Sequence, residues 1–163
     1  MKTLPAHWDA PTDGRQSPLA RDICRGVGRL LQAHAYAPLS EVVLGNGRRA
    51  DVMAVSAAAE IWIVEIKSGL EDFRLDQKWP QYRGFCDRFF FAVGPAFPGD
   101  VLPPDTGLIV ADRYGGEILR PAPEHKLPAT RRRTLILRLA RTAAMRLQAA
   151  LDPDGSLETL PRA

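Results

Sequence analysis

Residues 50–55, ADVMAV, and residues 61–68, IWIVEIKS, decide the fold of this chain. Both runs are rich in valine and isoleucine and lie close together in sequence, which predicts two strands of one hairpin. Each run also carries charged residues where a buried strand normally carries none. We therefore interpret this hairpin as the part of the sheet that holds an active site.

A turn centred near Ala58 sets the register of the hairpin, because paired residues in a simple hairpin keep a constant sum of residue numbers. This register brings Asp51 opposite Glu65, and Lys67 follows on the same face because side chains alternate along a strand. The other face of the second strand is apolar too, so we predict a central strand that is covered on both sides. The predicted pairs are Val55 with Ile61, Met53 with Ile63 and Asp51 with Glu65.

The charged groups of the hairpin point to a metal ion. Two carboxylates about 4 Å apart repel by about 4 kcal/mol at an effective dielectric constant of about 20, and one ammonium offsets only part of this. Carboxylate oxygens that leave positions open for water and phosphate suit Mg²⁺ or Mn²⁺ better than zinc. We predict Asp51 and Glu65 as ligands of such a cation, with Lys67 free to act on a phosphate or a water.

Length and composition limit the choice of architecture and partners. The chain has 163 residues, of which 45% are hydrophobic, and this is enough for one core that buries about 70% of the unfolded surface. A net charge of +3 and a sequence pI near 9.1 permit nucleic-acid binding without requiring it. We predict a single domain at 17–151, an irregular arm at 1–16 and a polar tail at 152–163.

The cysteines and histidines exclude several classes of site. Cys24 and Cys86 are far apart in apolar surroundings, which favours buried free thiols over a disulfide or a zinc site. His7, His34 and His125 are scattered, which argues against a histidine metal site or a serine protease triad. The N-terminus lacks an apolar signal core and no apolar run reaches membrane-spanning length, so we expect a cytoplasmic protein without membrane contact. The oligomeric state stays open.

The other elements follow from turn residues and hydrophobic periodicity. In chain order we predict a helix from Ser17 to near Tyr36, a strand at 39–44, a glycine turn at 45–47, a helical segment at 71–86 that Pro80 interrupts, strands at 88–93 and 106–111, a turn into 118–119, and a helix from about Thr130 to Leu151. The apolar face predicted for this last helix comprises Ile136, Leu139, Ala140, Ala143, Leu147 and Ala150.

Residues 71–86 mix basic, amide and aromatic side chains next to the proposed site. Lys78, Gln81 and Tyr82 are functional candidates, whereas Phe73 and Phe85 fit a helix face that packs into the core. Trp79 or Tyr82 could stack on an unpaired base, although packing explains Trp79 at least as well. Arg131, Arg138 and Arg141 of the last helix fit a solvated helix face better than phosphate contacts, although both interpretations stay open.

These motifs resemble two nested families. The order of helix, three strands with Asp51 and Glu65-Ile66-Lys67, helix and further strands is similar to the PD-(D/E)xK nuclease superfamily, with Ala50 where the motif has proline. Over residues 15–150 the chain resembles, more narrowly, the MmcB family of DNA-repair proteins. The residues that carry this second resemblance are 63–68, Asp72-Phe73, Asp76, Lys78-Trp79, Tyr82, Cys86-Asp87 and 89–93.

The resemblance implies an α/β, single-domain PD-(D/E)xK nuclease-like fold, with a mixed central sheet flanked by helices, and a role in DNA repair with DNA and other repair proteins as partners. In the leading hypothesis the protein hydrolyses DNA phosphodiesters with Mg²⁺, which Asp51, Glu65 and the Ile66 carbonyl hold. Lys67 would orient a water or stabilise the developing charge. Residues expected to contact DNA are Arg48, Arg49, Lys78, Gln81 and Tyr82.

Two alternatives remain at this point. The first is a catalytically weak DNA-binding or adaptor module of a repair complex on the same fold. The second treats Glu65 and Lys67 as a structural ion pair without a ligand.

Overall fold

The structure is a computed structural model that describes residues 16–153. Its helices are α1 (Pro18–Ala33), α2 (Leu70–Leu75) and α3 (Ala129–Leu151), and two 3₁₀ helices span Trp79–Phe85 and Gly99–Val101. Its strands are β1 (Tyr36–Val43), β2 (Arg49–Ser56), β3 (Ile61–Lys67), β4 (Arg88–Val93), β5 (Gly107–Ala111) and β6 (Gly116–Arg120). The predicted arm at 1–16 and tail at 152–163 lie almost wholly outside the described residues.

The six strands form one sheet in the order β1-β2-β3-β4-β5-β6. β2 pairs with its neighbours β1 and β3 in antiparallel fashion, β4 pairs with β3 and β5 in parallel, and β6 is antiparallel to β5. Parallel neighbours require a crossover connection, which here consists of α2 and the 3₁₀ helix of residues 79–85, named the 79–85 helix below. The predicted α/β class with a mixed sheet flanked by helices is confirmed.

β3 is buried along its whole length, as a central strand covered on both faces must be. One face, with Ile61 and Ile63, joins the core under α3 and the 79–85 helix, and the other, with Val64, joins the core under α1. The predicted register is confirmed for two of its three pairs, Val55 with Ile61 and Met53 with Ile63, whereas Asp51 and Glu65 lie one position beyond the paired residues. The paired residues run as far as Val52 and Val64.

The turn between β2 and β3 closes through Ala59, whose backbone φ is 63°. The Ser56 backbone exchanges hydrogen bonds with Glu60 and Ala59, and the Ser56 hydroxyl accepts from the Glu60 amide at 3.2 Å. These bonds hold an alanine in a left-handed conformation that normally favours glycine or asparagine. The turn therefore forms without a strong turn signature in the sequence.

α1 begins as predicted, because the Ser17 hydroxyl accepts a hydrogen bond from the Ala20 amide at 3.1 Å and proline follows at the first helical position. Its end was predicted too late. The helix stops at Ala33, Ala35 takes a left-handed φ of 61°, and Tyr36 already starts β1. β1 includes Pro38, which the sheet tolerates because β1 is an edge strand.

α3 lies on the opposite face of the sheet from α1, and its predicted apolar face was wrong in part. Leu135 and Leu139 are its buried residues, whereas Ala140, Ala143 and Leu147 are exposed. The inward line of the helix continues through Arg146, whose guanidinium donates to the backbone carbonyls of Ser40 and Glu41. A polar anchor at helical spacing replaces the apolar contact that the sequence pattern indicated.

Asp87, which precedes β4, connects several elements and is only 2% exposed. Its carboxylate accepts hydrogen bonds from the Ile61 amide at 2.8 Å and from the Leu127 amide at 3.0 Å. The Arg132 guanidinium of α3 binds both oxygens of the same carboxylate, at 2.5 and 2.7 Å. The start of β3, the connector before α3 and α3 itself are thus fixed to one side chain.

Candidate active site

The end of the β2–β3 hairpin brings the predicted acidic residues to one place in the sheet. The Asp51 carboxylate accepts a hydrogen bond from the Ile66 amide at 2.8 Å, beyond the last ladder pair. Glu65 lies on the sheet face of Ile63 and is 7% exposed, and Lys67 is 4% exposed. Three ionisable groups predicted from strand alternation are therefore buried or half-buried together.

Glu65 is the least satisfied of the three groups. Its Oε1 lies 3.4 Å from the Tyr82 hydroxyl, and its Oε2 is buried and has no hydrogen-bond partner among the residues that the structure describes. Burial and, after it, the charge of Asp51 raise the pKa of Glu65, and Lys67 and the Asp51 backbone amide offset only part of this effect. Burial raises the pKa of Asp51 as well, against the opposing effects of the Ile66 amide and Lys67.

Lys67 is not free, contrary to the prediction. Its ammonium Nζ donates to Asp76 Oδ2 at 2.7 Å, and Asp76 Oδ1 accepts from the Lys78 amide at 3.0 Å. Burial lowers the pKa of Lys67, but the hydrogen bond to Asp76 and the charge of Glu65 outweigh burial and raise it overall. Asp76 is the site residue that sequence reasoning missed, although it stands directly after α2 and within reach of the strand ends.

Oxygen donors suited to the predicted Mg²⁺ or Mn²⁺ are few among the described residues at this site. Within residues 16–153, no group of three or more His, Cys, Asp and Glu side chains is arranged to hold a metal ion. The predicted set needs only the two carboxylates of Asp51 and Glu65 and the Ile66 carbonyl, and water and phosphate supply the remaining oxygens. The unpartnered Glu65 Oε2 fits this use, because hard oxygen donors are those that such cations prefer.

Similarity to known proteins identifies the family of this chain. The sequence model of a family described as "DNA repair protein MmcB-like" matches residues 8–154. The chain belongs to the MmcB-like family of DNA-repair proteins. It is also similar to a solved structure, the SPO1766 protein of unknown function from Silicibacter pomeroyi, at 44% identity and a TM-score of 0.85 over 90% of this chain and 99% of that one. No curated protein matches this MmcB-like chain.

Membership of the MmcB-like family supports a role in DNA repair, as the resemblance implied. It assigns no reaction, and the structural neighbour is described as a protein of unknown function. None of the helices in the described part of this MmcB-like chain is long and apolar enough to cross a membrane.

The residues predicted to contact DNA in this MmcB-like chain fall into two groups. The first group is exposed or half-buried and comprises Arg48, Arg49, Lys78 and Gln81, and within it the Arg48 Nε donates to Gln81 Oε1 at 2.6 Å. Arg49 lies 3.9 Å from the Glu41 carboxylate. Their contact with DNA stays a prediction.

Tyr82 forms the second group, because it is inside the MmcB-like fold. It is 4% exposed, its ring stacks on Phe89 at a centroid distance of 5.9 Å, and its hydroxyl donates to the Arg49 carbonyl at 2.9 Å. This ring is not available to a base, contrary to the prediction. Trp79 also packs, on Phe89 at 5.6 Å and on Phe91 at 5.3 Å, which favours the packing interpretation that the sequence left open.

Proposed function

We propose that this MmcB-like protein is a Mg²⁺- or Mn²⁺-dependent nuclease that hydrolyses DNA phosphodiester bonds during repair. The observation that carries the proposal is the Glu65 carboxylate, which is buried next to Asp51 with one oxygen unpartnered among the described residues. A buried carboxyl group with an unpartnered oxygen destabilises a fold, so it needs a ligand or a catalytic use to explain it.

The order of elements supports a further step in the same proposal, namely that the sheet is of the PD-(D/E)xK type. Asp51 near the start of β2 and the Glu65-Ile66-Lys67 run at the end of β3 occupy neighbouring antiparallel strands in a mixed sheet. This arrangement matches the two signatures of the resemblance.

Each residue then has a defined role. The Asp51 and Glu65 carboxylates, with the Ile66 carbonyl, would hold the cation, and the Ile66 amide keeps the Asp51 carboxylate oriented through the 2.8 Å hydrogen bond. When bound, the cation supplies Lewis-acid activation of the phosphate and of a water. Lys67 carries a proton and a positive charge next to these groups and would stabilise negative charge that develops on the phosphate.

Cleavage assays test the proposal. Labelled single-stranded, duplex, flap and branched DNA are incubated with the protein and Mg²⁺, and wild type is compared with Asp51→Asn and Glu65→Gln. We expect each substitution to lower the cleavage rate by at least about 100-fold, the cost of losing one preorganised electrostatic group. Glu117→Gln is the matched control, because Glu117 is exposed on the edge strand β6. Equal cleavage by all four proteins would exclude this site as the source of activity.

Metal binding is tested separately from catalysis. Because a cation that binds only the folded state stabilises it, Mg²⁺ or Mn²⁺ should raise the melting temperature of wild type. Glu65→Gln should lose this rise and Glu117→Gln should keep it. An unchanged melting temperature of wild type in either metal would contradict the proposed cofactor.

One observation favours a second candidate function, a DNA-binding or adaptor module that cleaves little. The Lys67 ammonium forms an ion pair with Asp76 at 2.7 Å, which compensates its positive charge. The side chain of Lys67 is only 5% exposed to solvent. Folded protein that binds DNA but leaves all four DNA forms uncut in Mg²⁺ and Mn²⁺ would support this function over the nuclease.

A further inference from the structure

A cleft of about 390 Å³ lies between the β1–β2 turn, the 79–85 helix and α3. Phe85 and Leu135 give it apolar walls, and Thr130 and Thr134 also line it. Nothing in the proposed hydrolytic chemistry uses these residues. We call this feature the α3 cleft.

Two arginines make the α3 cleft positively charged. The Arg131 guanidinium lies 5.9 Å from the centroid of the Phe85 ring and donates to the Gly84 carbonyl at 3.0 Å. Arg138 donates to the Val43 carbonyl at 3.2 Å. Among residues 16–153 each guanidinium makes one such hydrogen bond, which leaves most of its five N–H donors for a ligand. The residues that line the cleft in the described structure include no carboxylate.

The α3 cleft is joined to the candidate active site through the 79–85 helix. Tyr82 contacts Glu65 on one side of this helix, and Phe85, three residues later, lines the cleft. With a rise of about 2 Å per residue, three residues of 3₁₀ helix span about 6 Å. One short helix therefore carries a side chain at each of the two features, about one turn apart.

We propose that the α3 cleft binds an unpaired base of single-stranded DNA whose neighbouring phosphodiester lies at Asp51 and Glu65. The inference rests on the proposed function in taking DNA as the ligand of this site. It goes further by naming DNA with a single-stranded segment as the substrate class.

The chemistry of the cleft selects a single strand over a duplex. A duplex keeps its bases stacked inside and presents phosphates at its surface, so it could use the arginines but not the apolar walls. An unpaired base offers a planar face for Phe85 or the Arg131 guanidinium, while its phosphate accepts from Arg138. Stacked aromatic and guanidinium groups in a basic groove are the combination that single-strand binders use.

The test measures binding without catalysis. Fluorescence anisotropy in EDTA compares a labelled 15-nucleotide oligothymidine with a 15-base-pair duplex, for wild type, Thr134→Glu and Ala144→Glu. Both substitutions add one negative charge at an exposed position of α3, but only residue 134 lines the cleft. We expect Thr134→Glu to weaken single-strand binding about ten-fold more than Ala144→Glu does, and to weaken duplex binding less than single-strand binding, because a duplex can use only the arginines of the cleft. Equal effects on the single strand would overturn the proposal.

Stacking has its own measurement. An oligonucleotide with one 2-aminopurine should lose fluorescence when wild type stacks on that base, and Phe85→Leu, which keeps an apolar side chain, should abolish most of this loss. Circular dichroism and melting temperature establish that the variant is folded. Wild type that binds the oligonucleotide without any change of 2-aminopurine fluorescence would overturn base binding in the cleft.

The outcomes for the cleft and for the nuclease are separate. Loss of single-strand binding in Thr134→Glu, together with no cleavage by wild type, would support base binding in the cleft and contradict the nuclease proposal. Cleavage by wild type, together with unchanged single-strand binding by Thr134→Glu, would contradict base binding in the cleft and support the nuclease proposal.

Discussion

Glu65 carries a carboxylate where an apolar side chain of similar size would stabilise the sheet more. Its neighbours on the same strand face, Ile61 and Ile63, belong to the core under α3, and its Oε2 has no hydrogen-bond partner among the described residues. Burying a polar carboxyl group without a full set of hydrogen bonds costs free energy of folding. The residue is therefore better explained by binding or catalysis than by stability.

We predict that Glu65→Gln stabilises the metal-free protein at neutral and alkaline pH. The pKa of Glu65 is raised in the folded state above its ordinary value of 4.5, so the folded state binds more protons and wild type loses stability as pH rises above that value. Glutamine has no proton to lose. The free energy of unfolding of Glu65→Gln should therefore exceed that of wild type by an amount that grows from pH 5 to pH 8 and reaches about 1 kcal/mol or more. Chemical denaturation in EDTA at the two pH values measures it, and a pH-independent difference would contradict the assignment.

Asp51, Glu65 and Lys67 were found from sequence because strand alternation and a fixed hairpin sum are local geometry. Asp76 was not assigned a role in the site because its approach to Lys67 depends on how residues 68–78 fold back over the strand ends. The predicted DNA contact of Tyr82 was wrong for a related reason. The sequence pattern around an aromatic residue near a site is the same whether its ring faces a ligand or packs on Phe89.

At the scale of elements, α1 docks closely on the turn between β5 and β6 through Gly26. A Cβ built on Gly26 would lie 2.0 Å from the Asp112 carbonyl oxygen and 2.4 Å from that of Gly115. Backbone atoms cannot move aside as a flexible side chain does. The absence of a side chain at residue 26 therefore sets how near α1 lies to this turn.

Gly26→Ala should destabilise the protein by about 1–3 kcal/mol, because overpacking against backbone forces the helix to shift. Gly28→Ala is the matched control, since a Cβ at Gly28 meets nothing within 4 Å in the same helix. It should stabilise by up to about 1 kcal/mol through higher helix propensity. Urea denaturation of both variants provides the measurement, and two effects of the same sign would contradict this account of the packing.

Element boundaries were predictable where capping or turn residues mark them, as at Ser17 and at the glycine turn before β2. The inward face of α3 was not, because the sequence pattern favours alanine and leucine at positions 140, 143 and 147, while the fold turns Leu135 and Arg146 inward. An arginine that binds strand carbonyls is indistinguishable in sequence from a solvated one. The way α3 docks on the sheet therefore determines which of its residues face inward.

At the scale of the whole molecule, Asp87 fixes β3, the connector before α3, and α3 to one carboxylate. We predict that Asp87→Asn destabilises the protein by about 1.5–3 kcal/mol, since it removes the charge of one partner of a partly buried ion pair and weakens the hydrogen bonds from Arg132. Arg88→Lys serves as the control. The Arg88–Glu60 pair is half-exposed, so this substitution should lower the free energy of unfolding by about 1 kcal/mol or less.

The same pair makes stability depend on pH. Burial opposes ionisation of Asp87, but the hydrogen bonds from Arg132 and two backbone amides outweigh burial and lower its pKa below the ordinary 3.8. Its contribution is therefore complete above about pH 3.8 and is lost as pH falls through the lower folded value. Denaturation between pH 2.5 and 6 should show a stability loss in wild type that is smaller in Asp87→Asn. Parallel pH curves would contradict this role.

The strand order has a consequence for how the protein folds. β1, β2 and β3 follow one another through tight turns, so their pairing closes only short loops, whereas β4 and β5 join through longer crossovers. Loop-closure entropy favours the short loops, and we expect the β1–β3 meander to form early during synthesis. Asp51 and Glu65 would then meet on the first part of the sheet to assemble, before the ribosome has released the segments that carry Asp76 and α3.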